Sequence, residues 1–327
     1  MMSPRTFDLS VVVPVYNEQD SVNSLYEEII AALSDKYNFE IIFVDDGSGD
    51  KSFEILSQIR ENDDRVHVIK FRKNFGQTAA IAAGFENSLG KIVIPLDADG
   101  QNDPADIPRL IEKLDEGYDI VSGWRKRRHD NVVTRTLPSR AANWLIAKIT
   151  GVKLHDFGCT LKAYRWESIK EIRLYGEMHR FIPALASWGG ENIAELVVNH
   201  RPRTTGQTKY GLNRTFKVIL DLITLKFLAS FSTKPIYVFG GLGVISGGLS
   251  IITGFLVLYQ KFISDSHLAM NRNPLLIMTA VLIMASIQFI LMGLLAEILV
   301  RTYHESQGRH IYTVEKVLES KGKDQDG

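Results

Sequence analysis

The 327-residue sequence predicts an α/β domain with a mostly parallel sheet, followed by a C-terminal part attached to a membrane. Short apolar runs alternate with stretches whose apolar residues recur at helical spacing, which is typical of an α/β fold. The connections between these stretches are short, which favours parallel neighbours joined by helices. Charged residues occur throughout residues 1–234 and are sparse in 235–300, so the two parts differ in their surroundings.

The apolar runs predict five strands, each bounded by polar or turn-forming residues. They cover residues 9–15, 39–44, 66–71, 92–96 and 194–198. Three helices are predicted between the first four strands. The first presents Val22, Leu25, Ile29 and Leu33 on one face, the second presents Phe53, Leu56 and Ile59, and the third is rich in small residues and runs through Gly84.

Polar and acidic side chains follow three of these strands. The motifs are Tyr16–Glu18, Asp45–Ser48 and Asp97–Gln101. Ligands of an open α/β sheet bind outside the carboxyl ends of its strands. The D-x-D pair in the third motif supplies hard oxygen ligands, which Mg²⁺ or Mn²⁺ prefers and shares with substrate phosphates. A metal–diphosphate site is the hypothesis, and a solvated turn is the alternative for the pair taken alone.

Composition excludes several other classes. The formal net charge is zero and no basic arm carries interleaved aromatic residues, which argues against nucleic-acid binding. The single cysteine, Cys159, excludes an internal disulfide and a cysteine-rich zinc site, and the eight histidines show no metal-binding spacing. Asp8 interrupts the N-terminal apolar stretch, so no secretory signal is expected and the first domain is expected in the cytosol.

A basic segment between residues 119 and 151 follows the predicted diphosphate site. Such runs are usually solvated faces, but arginine forks also suit phosphate oxygens. We interpret the segment as a loop that recruits an anionic acceptor. The candidate acceptor-binding residues are Arg125, Arg135, Ser139 and Arg140.

The motifs in combination resemble those of a known family. V-P-V-Y-N-E, V-D-D-G-S and L-D-A-D-G-Q, in this order, are similar to the donor-binding half of glycosyltransferase family 2, which has the GT-A fold. The stretch from Asp156 to Arg165 and the segment 206–211 resemble elements of the polyisoprenyl-phosphate branch, whose members include enzymes like dolichol-phosphate mannose synthase. The resemblance covers nearly the whole chain.

The resemblance implies a role for most of the site residues. Gln101 matches the D-A-D-x-Q form of this branch, and Asp156 is the candidate catalytic carboxylate, either as a base or as a group that orients substrate. Cys159 is interpreted as a packed apolar group. The nucleoside would contact Pro14, Tyr16, Glu18, Asp45 and Asp46, and the metal would contact Asp97 and Asp99. On their charge, and not through the resemblance, Arg201, Arg203 and Lys209 are expected to contact the donor or acceptor phosphates.

The implied reaction is inverting transfer of a hexose to a polyisoprenyl phosphate such as undecaprenyl phosphate. UDP-glucose is the expected donor, while GDP-mannose and a UDP-aminopentose remain open. Lys162 replaces the Gln of the Q-x-x-R-W motif, which argues against a processive polysaccharide synthase. A membrane-anchored sensor of sugar nucleotides and a lipid translocator are the alternatives from other classes.

The C-terminal third is predicted to be membrane-bound. We expect a GT-A domain over 1–212, an amphipathic interfacial helix over 213–234, membrane spans near 236–260 and 275–300 within 235–302, and a cytosolic tail over 303–327. Basic residues before the first span and after the second place both termini in the cytoplasm at the inner (plasma) membrane. Gly243 and Gly247 predict a close helix-packing face, through which a homo-oligomer is possible.

Overall fold

The computed structural model describes residues 5–126, 146–148, 150–170, 178–202, 235–263 and 273–306, with the single positions 172, 174 and 176. The chain divides into two compact units, 1–226 and 227–327. Each is described by itself below. The predicted interfacial helix over 213–234 lies outside the described residues, as does most of the predicted tail.

The first unit contains a seven-stranded sheet. The strands are β1 Phe7–Val15, β2 Phe39–Asp45, β3 Val66–Lys70, β4 Gly90–Pro95, β5 Ile120–Trp124, β6 Lys162–Arg165 and β7 Ile193–Val197. Their order in the sheet is β3-β2-β1-β4-β6-β5-β7. All neighbours are parallel except that β6 runs antiparallel to both β4 and β5. The predicted mostly parallel sheet is therefore confirmed.

Helices cover both faces of this sheet, because alternate residues of the central strands point to opposite sides. The helices of this unit are α1 Val22–Leu33, α2 Ser52–Asn62, α3 Gln77–Glu86, α4 Ile107–Asp115, α5 Trp166–Ile169 and α6 Ile182–Trp188. Val11 and Val13 pack with α1, α2 and α4, whereas Val12 packs with α3 and α6 on the other face.

The register of the strands brings their polar ends to one edge. Val15 lies beside Asp45, and Asp45 lies beside Lys70 on β3. Pro95 at the end of β4 lies beside Val12. Because β6 is antiparallel, it begins at this same edge, so the residues just before Lys162 lie where β4 and β5 end. The sheet thus gathers segments that are distant in sequence.

Two strands were absent from the sequence prediction, namely β5 and β6. β6 is only four residues long and includes Lys162 and Arg165, so it carries no long apolar run. It exists as a strand because β4 and β5 pair with its two edges. That pairing joins segments far apart in sequence, which local pattern does not reveal.

The second unit contains two long apolar helices, α7 Ile236–Phe262 and α8 Pro274–Ser306. Both are long and apolar enough to cross a membrane. Where they pack together, the Ser286 hydroxyl donates to the carbonyl of Gly243 at 2.7 Å, and a Cβ at Gly243 would lie 2.7 Å from Ile290. The absence of that Cβ permits the close approach that the glycine pattern predicted.

Candidate active site

The loop after β1 is tied to the loop after β2 by side-chain-to-backbone hydrogen bonds. Asn17 has a positive φ of 53°, and its side-chain oxygen accepts from the Gly49 backbone N–H at 2.8 Å. The Asn17 backbone N–H donates to Ser48 Oγ at 3.0 Å, and that of Glu18 donates to Ser52 Oγ at 2.9 Å. Asn tolerates the left-handed region better than most residues, so the fixed loop conformation is built into the sequence.

The two aspartates at the end of β2 have different partners. Asp46 accepts from the backbone N–H groups of Phe75 and Gly76 at 2.7 and 2.9 Å, which fixes the loop between β3 and α3. Burial raises the pKa of Asp46, an effect that these two hydrogen bonds oppose. Asp45 is fully buried, and its Oδ2 has no hydrogen-bond partner in the described part of the chain. That orphaned acceptor fits the predicted nucleoside contact of Asp45.

The D-x-D pair follows β4 and is half-buried. The two oxygens of Asp97 accept from Gln77 Nε2 and Thr160 Oγ1, both at 2.7 Å. Asp99 Oδ1 accepts from the backbone N–H of Gln101 at 3.1 Å. Burial, together with the nearby charge of Asp99, raises the pKa of Asp97 to about 6. A carboxylate whose pKa is raised by burial and by a second carboxylate beside it is a site where a cation relieves repulsion.

This donor set fits a divalent metal that is shared with a substrate. In the described segments, no group of three His, Cys, Asp or Glu side chains is placed to hold a metal ion. Mg²⁺ is usually bound through one or two carboxylates, with substrate phosphates and water completing its shell. Asp97 and Asp99 supply that number of carboxylates at the predicted position.

Asp156 is buried and paired with Arg125 of the segment after β5. Arg125 Nε donates to Asp156 Oδ2 at 2.7 Å, and Arg125 donates through NH2 to Oδ1 at 3.0 Å. Gly158 also donates its backbone N–H to Oδ1 at 3.1 Å. Burial lowers the pKa of Arg125, but the hydrogen bonds to Asp156 and the acidic groups nearby together outweigh this, and the pKa is raised overall. The bidentate geometry fixes the orientation of the guanidinium.

Comparisons with known proteins identify the family of this chain. A family model described as Glycosyl transferase family 2 matches residues 10–173. The chain is 39% identical over 320 residues to the dodecaprenyl-phosphate galacturonate synthase of Rhizobium johnstonii. This match covers 96% of this chain and 94% of that protein. The chain belongs to glycosyltransferase family 2.

A second relative and a solved structure are also similar to this chain. The glycosyltransferase is 39% identical over 325 residues to the undecaprenyl-phosphate 4-deoxy-4-formamido-L-arabinose transferase of Pseudomonas aeruginosa, covering 97% of this chain and 92% of that protein. A structure of the glucosyl-3-phosphoglycerate synthase of Mycobacterium tuberculosis with Mn²⁺, UDP and glucosyl-3-phosphoglycerate has a TM-score of 0.51 and 19% identity, covering 68% of this chain and 80% of that chain. The structural likeness shows the GT-A fold alone.

Several predicted site residues of the glycosyltransferase reach the same edge of the sheet. Pro14 is the penultimate residue of β1, and Tyr16, directly after that strand, is 37% exposed. Glu18 accepts from the Ser21 hydroxyl at 3.1 Å. The backbone carbonyl of Gln101 accepts a hydrogen bond from the backbone N–H of Arg201 at 2.9 Å. The roles assigned to these residues remain predictions.

Arg201 makes contacts that the sequence did not predict. Its guanidinium pairs with Glu28 of α1 at 2.6 Å and with Asp103 at 2.7 Å. These hydrogen bonds raise the pKa of Arg201 against the lowering effect of burial. The described geometry therefore gives Arg201 a role in joining α1 to the segment after the D-x-D pair, and its predicted phosphate contact remains a prediction. Five predicted site residues lie outside the described residues: Arg135, Ser139, Arg140, Arg203 and Lys209.

Sequence reasoning assigned no role to Gln77, Thr160 and Lys162. Lys162 is buried, and its ammonium donates to the backbone carbonyls of Phe157 and Cys159. Burial lowers the pKa of Lys162 and raises the pKa of the Cys159 thiol to about 11, in agreement with a packed, unreactive cysteine. A signal for Gln77 existed, since it follows the third strand at the edge that the other motifs occupy. Nothing local indicated Thr160.

Proposed function

We propose that this glycosyltransferase moves a sugar from a nucleoside diphosphate sugar to a polyisoprenyl phosphate at the cytoplasmic face of the membrane. The observation that carries the proposal is the combination, in one chain, of the D-x-D edge with two helices long and apolar enough to cross a membrane. The two relatives described above have names that specify dodecaprenyl-phosphate and undecaprenyl-phosphate acceptors, and they match along more than nine-tenths of their length.

On the donor side, Asp97 and Asp99 would hold Mg²⁺ or Mn²⁺. When bound, the metal neutralises the charge that develops on the leaving diphosphate. Gln77 and Thr160 hold Asp97 in place, so the carboxylate is oriented before any ligand arrives. The buried Oδ2 of Asp45, which has no hydrogen-bond partner in the described part of the chain, would accept from a donor group of the nucleobase or ribose.

On the acceptor side, the chemistry needs no strong base. A phosphate monoester has a second pKa of about 6, so at neutral pH it is already a dianion and a competent nucleophile. Arg125 is the described member of the predicted acceptor-binding set, and Asp156 fixes the direction of its guanidinium. We therefore assign Asp156 the role of orienting Arg125 and, through it, the acceptor, rather than that of removing a proton.

The membrane orientation follows from the distribution of basic residues. Residues 201–234, which precede α7, include seven Lys or Arg, and Arg301 and Arg309 follow the predicted second span. Only Lys261 and Arg272 lie near the connection between α7 and α8. The positive-inside rule then places the catalytic domain and both termini in the cytoplasm.

The names of the relatives widen the set of candidate donor sugars. The relatives described above are named for galacturonate and for a formamido-arabinose, and neither is named for glucose. UDP-glucose is therefore one candidate donor among several. UDP-galacturonate, the UDP-linked formamido-arabinose and GDP-mannose complete the set to be tested.

The deciding experiment is a transfer assay with the detergent-solubilised full chain, Mg²⁺ or Mn²⁺, undecaprenyl phosphate and each radiolabelled donor in turn. We expect label to enter the lipid from one donor and to be lost with Asp97→Ala or after chelation of the metal. Asp64→Ala is the matched control, because this carboxylate is fully exposed and pairs only with Arg60 on the surface in the described structure. Donor binding without transfer from any donor would replace the proposal with the sensor hypothesis.

A further inference from the structure

Gln288 lies near the middle of the apolar span Pro274–Leu299, within two residues of its centre. At about 1.5 Å per residue, the carboxamide would lie within a few Å of the bilayer midplane. The side chain is exposed, and in the described part of the chain no hydrogen bond is recorded for it. Lipid tails offer neither donors nor acceptors, so a carboxamide at this depth is stabilised by a polar partner from protein.

The partner is not α7. α8 faces α7 through Ser286, Ile290 and Gly293, which contact Gly243, Ile236 and Phe239. Gln288 is two residues after Ser286, which is about 200° around an α-helix, so it lies on the opposite side of α8. The residues around it form a shallow apolar hollow, the Gln288 face. Its members are Met284, Ile287, Gln288, Leu291, Met292 and Leu295.

We propose that the Gln288 face of α8 binds the same face of a second copy of this chain. A carboxamide carries both donors and an acceptor, so two copies related by a twofold axis satisfy each other reciprocally. The polyprenyl chain of a lipid fits the apolar hollow but supplies no partner for the carboxamide. The inference depends on the proposed membrane insertion of α8 and is independent of the reaction the enzyme catalyses.

Cysteine crosslinking in native membranes tests which face is in contact. Met284→Cys and Leu295→Cys lie within about 40° of Gln288 around the helix, whereas Ile283→Cys and Leu294→Cys lie about 120–140° away. All four positions are exposed in the structure, and the native Cys159 is buried. Under copper-phenanthroline oxidation we expect disulfide-linked dimers from the first two variants and not from the other two or the parent. Equal crosslinking at all four positions, or none at any, would overturn the proposal.

The carboxamide is tested by energy transfer between labelled full-length copies in vesicles of increasing lipid content. We expect Gln288→Leu to weaken the dimer about tenfold, since interhelical polar contacts of this kind contribute modestly. Gln288→Asn keeps the amide and is expected to retain most of the association. A dimer that is equally stable in Gln288→Leu would show that the carboxamide does not hold the two copies together, and would overturn the proposal. Transfer activity of the same samples is measured separately. Transfer by monomers would show that the reaction does not need the dimer, and it would leave the contact between the two copies to be decided by the energy transfer.

Discussion

The two halves of the active-site edge hold their carboxylates with different partners. At the end of β2, Asp46 accepts from the backbone N–H groups of Phe75 and Gly76. Beyond β5, Asp156 accepts mainly from the guanidinium of Arg125. Backbone donors are neutral and belong to the loop they fix, whereas a buried guanidinium is a charge that itself needs a partner. The first half therefore depends on loop geometry and the second on charge balance.

The largest expected effect is in the charge-balanced half. Asp156→Asn leaves the Arg125 charge largely buried without its carboxylate, and removing one member of a buried pair typically costs about 3–5 kcal/mol of unfolding free energy. Arg125→Met alone should cost a similar amount, because it leaves the Asp156 charge buried. The double variant should cost less than the sum, since an apolar replacement of both charges removes the imbalance.

Unfolding of the full chain in detergent, compared across these three variants and the parent, measures the coupling between Arg125 and Asp156. Costs that simply add in the double variant would contradict the described pairing. Transfer activity is expected to be lost in both single variants and to stay lost in the double variant. Removing both charges restores the charge balance on which stability depends, but it does not restore an oriented Arg125 for the acceptor.

A smaller effect is expected from the loop-geometry half, at Gly47. This glycine has φ 69°, and an added Cβ would lie 2.5 Å from the backbone carbonyl carbon of Lys73. Gly47→Ala combines an unfavourable backbone conformation with overpacking against the β3–α3 loop, for a total of about 2–4 kcal/mol. Gly49→Ala is the matched control, because that position has an ordinary φ and open space around it.

Thermal unfolding of the two glycine variants in the same detergent compares them directly. Equal transition temperatures for Gly47→Ala and Gly49→Ala would mean that the β3–α3 loop yields without cost. The half of the site around Asp46 would then not depend on loop geometry.

The sequence predicted this edge better than it predicted the contacts within it. Four strands of the parallel part and the strand near 194–198 were recognisable because each is an apolar run bounded by polar motifs. The strand ends converge by a general property of parallel sheets, so Asp45, Asp46 and Asp97 were placed correctly at one edge. The local pattern did not contain the pairing of β6, which begins at that edge just after Asp156 and Thr160.

Side-chain partners were the least predictable feature. Arg125 and Asp156 were both singled out, but as separate groups for an acceptor and for catalysis, and their ion pair spans 31 positions of sequence. Arg201 was assigned to phosphate on its charge alone, while in the structure it joins Glu28 and Asp103. Residue type indicates what a side chain is able to bind, whereas the fold decides which of several suitable partners lies within reach.

An intermediate effect is expected at Asp46. Asp46→Ala leaves two backbone N–H groups of the β3–α3 loop without their acceptor, at a cost of about 1–3 kcal/mol. Asp46→Asn keeps one acceptor oxygen and should cost less than the alanine variant. Hydrogen exchange at Phe75 and Gly76 in the full chain measures the effect locally. Unchanged protection of both amides in Asp46→Ala would show that the loop is held by other contacts.

The smallest expected effect concerns a second Arg–Asp pair, which is more exposed than the first. Asp63, at the end of α2, accepts from the Arg65 guanidinium and from the Tyr26 hydroxyl, but Arg65 is 40% exposed. The Arg65 hydrogen bonds lower the pKa of Asp63 to about 2. A carboxyl whose pKa is lowered in the folded state stabilises that state above its unfolded pKa of about 4 and loses this contribution as the pH falls towards 2. Solvent screening reduces the contribution to the order of 1 kcal/mol.

The prediction is made as a difference between Asp63→Asn and the parent, so that other titrating groups cancel. The parent should be more stable by about 1 kcal/mol in unfolding free energy at pH 6, and the difference should shrink as the pH is lowered through 4 towards 3. Unfolding in detergent at closely spaced pH values measures it. A loss of unfolding free energy as large as that in Asp156→Asn would mean that the greater exposure of the Asp63–Arg65 pair does not weaken it. A loss that is independent of pH would mean that Asp63 does not stabilise the fold through its charge.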